Sequence, residues 1–82
     1  MNAPDTTLDA FRRDAQLSAS ALWWSYFALG GNATPRQLQA FLTGATRPDR
    51  TDHDRLAQAL NEQFTHLGRD SPVPYFEQLH QS

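Results

Sequence analysis

The segment Ala21-Leu22-Trp23-Trp24-Ser25-Tyr26-Phe27-Ala28-Leu29 holds both tryptophans of the chain and two further large aromatics. It is stopped by Gly30-Gly31, and the chain restarts at Thr34-Pro35. A segment this long and this cleanly terminated is a helix, and the domain must be built around it. At 3.6 residues per turn Trp23 and Phe27 share one face, Leu22, Tyr26 and Leu29 share another beside it, and Trp24 projects elsewhere. A helix apolar nearly all round belongs at the buried centre of a domain, so a core around Trp23 and Phe27 is expected. A few short neighbours cannot cover every side of it. Trp24 or Tyr26 is therefore left at the surface, where an aromatic suits a partner-binding hot spot. These two residues are the candidate partner-binding site.

The 82 residues make one domain, and a chain this short buries only about 60–65% of the surface that its unfolded form exposes. Absence of cysteine excludes disulfides and thiolate metal sites. Met1-Asn2-Ala3-Pro4-Asp5 has no basic region followed by an apolar run, so no signal peptide is expected. No segment approaches the roughly 18 consecutive apolar residues of a membrane span, and a cytoplasmic protein without membrane contact is the simple expectation. The net charge of −2 argues against bulk attraction to nucleic acid or anionic lipid. All basic residues are arginine and they are spread along the chain, which fits the codon bias of a GC-rich bacterial genome.

Residues 1–6 lack periodicity and read as a flexible N-terminus, leaving 7–82 as a single helical domain. Leu8, Phe11 and Ala15 fall at helical spacing and predict a short first helix ending near Leu17. Ser18 or Ser20 caps the aromatic helix, and Gly30 fits the left-handed position that closes it. In Thr34-Pro35-Arg36-Gln37 the hydroxyl is an N-cap, the proline takes the first helical position, and Gln37 completes a capping box. That helix carries Leu38, Phe41 and Leu42 and ends at Gly44. Thr51 is the expected N-cap of the longest helix, whose seam is Leu56, Leu60, Phe64 and Leu67 and whose end is Gly68. Pro72 and Pro74 permit at most a brief helix in the apolar tail Tyr75, Phe76 and Leu79, which could fold back over the aromatic surface. No alternating strand pattern occurs, so the fold class is all-α: a compact bundle of four to five short helices.

Catalytic and metal chemistry find little support. His53, His66 and His80 are not spaced as paired ligands, and Asp52-His53-Asp54 reads as a charged, solvated first turn. Gly30-Gly31 follows a helix rather than a strand, so it is no phosphate loop. Glu62 and Glu77 are isolated, and no nucleophile, base and orienting group assemble by spacing. The expectation is a non-enzymatic protein without metal or cofactor.

Gly44-Ala45-Thr46-Arg47-Pro48, followed by Leu56-Ala57-Gln58-Ala59-Leu60, resembles the end of lambda-repressor-like (Xre-type) helix-turn-helix domains. In that family a glycine closes the recognition helix, a proline follows, and a Leu-Ala-x-Ala-Leu helix packs beneath. The resemblance spans about residues 23–60. It implies that Thr34 caps a recognition helix with Arg36, Gln37 and Gln39 exposed at its start, where arginine reads guanine and glutamine reads adenine. Arg47 and Arg50 would then contact phosphates. The chain departs from the family at Gly31 and at His53, where apolar side chains are usual.

The acidic balance, with Asp49, Asp52 and Asp54 beside the phosphate-facing loop, sets the first two of three functions in order. A small regulatory or adaptor module acting by protein–protein contact through Trp24 and Tyr26 comes first. A helix-turn-helix DNA-binding regulator using Arg36, Gln37, Gln39, Arg47 and Arg50 is the alternative. A small-ligand sensor lined by the aromatic helix is the third.

Overall fold

The computed structural model describes residues 8–70 and 72–79, and they form five helices without a strand. The expected flexible segment at residues 1–6 lies outside them, as does His80. Helix α1 (Leu8–Asp14) is held by Asp9, which pairs with Arg12 at 2.8 Å and Arg13 at 3.3 Å. Arg12 also donates to the Leu17 carbonyl at 2.8 Å, tying the helix to the chain beyond its end. Gln16, with φ at 62°, makes the left-handed turn into the next element.

Helix α2 (Ala19–Ala28) starts at Ser18, whose hydroxyl accepts from the Ala21 amide at 3.0 Å. Helix α3 (Pro35–Thr43) begins with the full capping box of Thr34 and Gln37 and ends at left-handed Gly44. Helix α4 (Arg50–His66) is capped by Asp49, which accepts from the Asp52 amide at 2.8 Å. Thr51, the expected cap, lies inside the first turn instead. Asp49 is still in extended conformation and carries a short acceptor, so it takes the cap before Thr51 is reached. Helix α5 (Phe76–Leu79) is a single turn.

The core is the meeting of α2 and α4. Leu22, Tyr26, Leu56, Leu60 and Phe64 are fully buried, Leu38 and Leu42 of α3 close one side, and Ala57 and Ala59 allow close approach. This corrects the expectation for α2. The inward face is Leu22 and Tyr26, whereas Trp23 is half-buried and Phe27 is 51% exposed. The choice follows from the Tyr26 hydroxyl. It accepts from the buried Ala33 amide at 2.8 Å and donates to Asp52 at 2.6 Å, joining α2, the α2–α3 loop and α4 at one atom. A buried polar group is stable only when so paired, and Phe27 offers no equivalent. Gly31 passes directly over the Tyr26 ring, and a Cβ there would overlap it. The turn at Gly31 thus lacks a side chain because the tyrosine fills that space.

The first turn of α4 is likewise not a solvated run. Asp52 serves Tyr26, whereas His53 is buried and its Nε2 donates to the Pro74 carbonyl at 2.9 Å. Asp54 accepts from the Phe76 amide at 2.8 Å. Further along, Asn61 takes both backbone groups of Val73, its amide donating to the carbonyl at 3.0 Å and its oxygen accepting from the N–H at 2.9 Å. Arg50 adds an ion pair to Glu77 at 3.1 Å and lies over the Phe76 ring. The segment from Val73 to Phe76 is therefore a strap fastened to α4, and it does not fold over the aromatic face of α2.

Two outcomes follow. Burial and the bond to Asp52 both push the Tyr26 hydroxyl above its ordinary pKa of 10.0. The folded protein then keeps a proton that the unfolded chain loses, so stability is full below pH 10 and falls as pH rises through the folded value. Tyr26→Phe should cost about 1–3 kcal/mol in urea unfolding at neutral pH and flatten this alkaline decline. Asn61→Ala leaves the buried Val73 amide without an acceptor and should cost a similar amount, about 1–3 kcal/mol. Chymotrypsin cleavage after Tyr75 and Phe76 should accelerate in that variant.

Candidate functional site

Because Leu22 and Tyr26 turn inward, α2 shows solvent the stripe Ser20, Trp24, Phe27 and Ala28, all exposed. Trp24 is 61% exposed and, with Phe27, stands out among the large apolar side chains. The rings are ordered against each other. Trp23 and Phe27 stack at 5.0 Å with an 18° tilt, while Trp24 meets Trp23 edge-on at 4.8 Å and Phe27 edge-on at 6.1 Å. Trp23 anchors the group, since its indole N–H donates to the Ala33 carbonyl at 2.8 Å. Ala33 thus receives Trp23 on its carbonyl while its amide bonds to Tyr26, so one loop residue fixes both the inner and the outer aromatic.

Beside the rings lies an open cleft of about 260 Å³ lined by Ala19, Ser20, Trp23, Trp24, Pro35 and Gln39. Its volume falls below the roughly 300–1,000 Å³ of sites for drug-sized molecules, which suits it to a side chain. No lining residue is charged, and no charged residue occurs in the sequence between Asp14 and Arg36.

Of the two candidate partner-binding residues the structure leaves Trp24 at the surface and withdraws Tyr26, which is fully buried. Phe27, assigned to the core from sequence, takes its place. The signal for it was present: Ser20, Trp24 and Phe27 recur at four- and three-residue steps, a second helical stripe beside Leu22 and Tyr26.

The residues implied by the helix-turn-helix resemblance lie at the two ends of α3 and at the start of α4. Arg36, Gln37 and Gln39 are exposed at the start of α3. The Gln37 side-chain oxygen is engaged by the Thr34 amide at 2.8 Å, and Gln39 borders the aromatic cleft. Arg47 is exposed beyond the far end of α3, which runs about 10 Å from Arg36 to Thr43. Arg50 is taken up by Glu77 and Phe76. Among the described residues no three His, Cys, Asp or Glu side chains group as metal ligands, and no helix is long and apolar enough to cross a membrane.

The chain matches no known family model, no curated protein and no solved structure.

Exposed and core side chains of α2 should separate in unfolding experiments. Trp24→Ala should change stability by less than about 1 kcal/mol, whereas Leu22→Ala on the opposite face should cost about 2–5 kcal/mol. Urea titrations followed by far-ultraviolet circular dichroism would read both.

Proposed function

We propose that this chain is a non-enzymatic, cytoplasmic regulatory or adaptor module that acts by protein–protein contact through the outer face of α2. The observation that carries the reading is the ordered Trp23–Trp24–Phe27 cluster, exposed at Trp24 and Phe27 beside an uncharged cleft. Aromatics concentrate binding energy because they remove a large rigid area from water with little loss of side-chain freedom. Here the rings are already stacked, so little further ordering opposes association.

A photo-crosslinking phenylalanine analogue at position 27 tests this directly. Irradiation in extract from the source cells should give a protein adduct that disappears when Trp24 is changed to Ala. Absence of any protein adduct at saturating label would remove the reading.

One observation favours the DNA-binding alternative. From Ala15 to Pro48 the chain has no acidic residue, and its two charges are Arg36 and Arg47. The resemblance to Xre-type domains lies in the same region, with Arg36, Gln37 and Gln39 as base readers. Against it stand the ion-paired Arg50 and the separation of Arg36 from Arg47. Labelled duplex DNA titrated at low salt separates the two. DNA binding predicts Kd of about 10⁻⁴–10⁻⁶ M that weakens steeply with salt and is lost in Arg36→Ala.

A further inference from the structure

Away from α2, we infer that the strap-bearing face of α4 is a second interaction site. It reads an extended peptide with an apolar residue followed by proline, and the chain's own residues 73–77 hold it closed. The strap is bound much as a separate ligand would be. Asn61 takes both the N–H and the carbonyl of Val73, His53 takes the Pro74 carbonyl, and Asp54 takes the Phe76 N–H. These bonds go to main-chain atoms, which every peptide carries, so they specify an extended backbone before any sequence. Water offers the same bonds to a released strap, so each holds it only modestly. Among the described residues beyond Phe64, only Val73 joins the core. The strap is thus attached by reversible polar contacts and one apolar anchor.

Side chains add the selection. Val73 is 2% exposed, so its position takes a compact apolar group. Pro74 fixes its own φ and holds the residue before it extended, presetting the backbone that Asn61 reads. At the other end Arg50 lies over the Phe76 ring and pairs with the exposed Glu77. Tyr75 stands between the two ends and is 38% exposed. The ligand chemistry is therefore apolar–Pro–x–aromatic–acidic. Residues 67–72 tether the strap beside its site, and a short tether sets an effective concentration of about 1 mM. A partner peptide must outcompete that, so the strap acts as a built-in inhibitor of the site.

The test uses the full chain with Val73→Asp, which puts a charge in the buried position and frees the strap while leaving Arg50, His53, Asp54 and Asn61 unchanged. The probe is a fluorescein-labelled peptide with the sequence of residues 72–79, followed by anisotropy. It should bind this variant at least tenfold more tightly than the wild type, whose site is filled. Adding Asn61→Ala should weaken that binding at least tenfold, and adding Trp24→Ala should leave it unchanged. A second form does not depend on Val73→Asp remaining folded: a protease site inserted after Arg69 lets the strap be severed in the folded protein, and excess labelled peptide should then replace it. A folded Val73→Asp chain that takes up no peptide at about 1 mM overturns the proposal. So does uptake indifferent to Asn61→Ala or lost in Trp24→Ala, and so does a severed strap that excess peptide cannot displace. A wild type at twice 9.3 kDa, returned to 9.3 kDa by Val73→Asp, would make a second copy's tail the occupant and overturn the separate partner.

Discussion

The hydroxyl of Tyr26 decides how this molecule is arranged. It is the one atom at which α2, the loop after it and the start of α4 are joined, accepting from Ala33 and donating to Asp52. Its demand for two partners rotates α2 so that Leu22 and Tyr26 face α4. Everything else on that helix follows from the rotation. Trp23 falls at the boundary, where its indole reaches the Ala33 carbonyl, and Trp24 and Phe27 are carried outward. Gly31 is fixed by the same ring, which leaves no room for a Cβ. An apolar residue at position 26 would satisfy the hydrophobic count of the core equally well, but it would leave the buried Ala33 amide without an acceptor.

The other flank of the core is closed by polar contacts as well. Asp52 and Asp54 are two residues apart and so project roughly 200° apart around α4. One reaches α2 and the other the strap. Asn61 pairs with the backbone of Val73 much as a neighbouring strand would, and His53 supports Pro74. Among the described residues no buried side-chain polar atom is left without a hydrogen bond. The two sides of α4 thus have separate tasks, one holding the aromatic helix and one holding the tail. The strap does not compete for the α2 surface.

Much of the backbone plan was legible in the residues, because its signals are local. The Thr34–Gln37 capping box, left-handed Gly44 and Gly68, and the seam Leu56–Leu60–Phe64 each rest on neighbours within a few positions. Three features were not legible, and all depend on partners distant in sequence. Phe27 and Tyr26 exchanged places because an aromatic periodicity cannot say which face meets a hydrogen-bond partner at Asp52. The Asp52-His53-Asp54 turn reads as solvated until Pro74 and Phe76 are brought beside it. Asn61 lies off the expected seam and was not singled out, yet with His53 and Ala57 it continues one helical face at four-residue steps. The candidate site was half visible: Trp24 was found from the crowding of α2, and the cleft needed Pro35 and Gln39 from the next helix.

The placement of the indoles also governs what the molecule reveals to light. Both tryptophans are adjacent on α2, with rings 4.8 Å apart. At that spacing excitation passes readily between them, so their fluorescence reports on one place in the molecule, the outer part of α2. At the red edge of the ultraviolet spectrum, where tyrosine is dark, the protein is optically a single helix. Detachment of the tail from α4 leaves the surroundings of both indoles in place, whereas a body settling on α2 removes Trp24 from water.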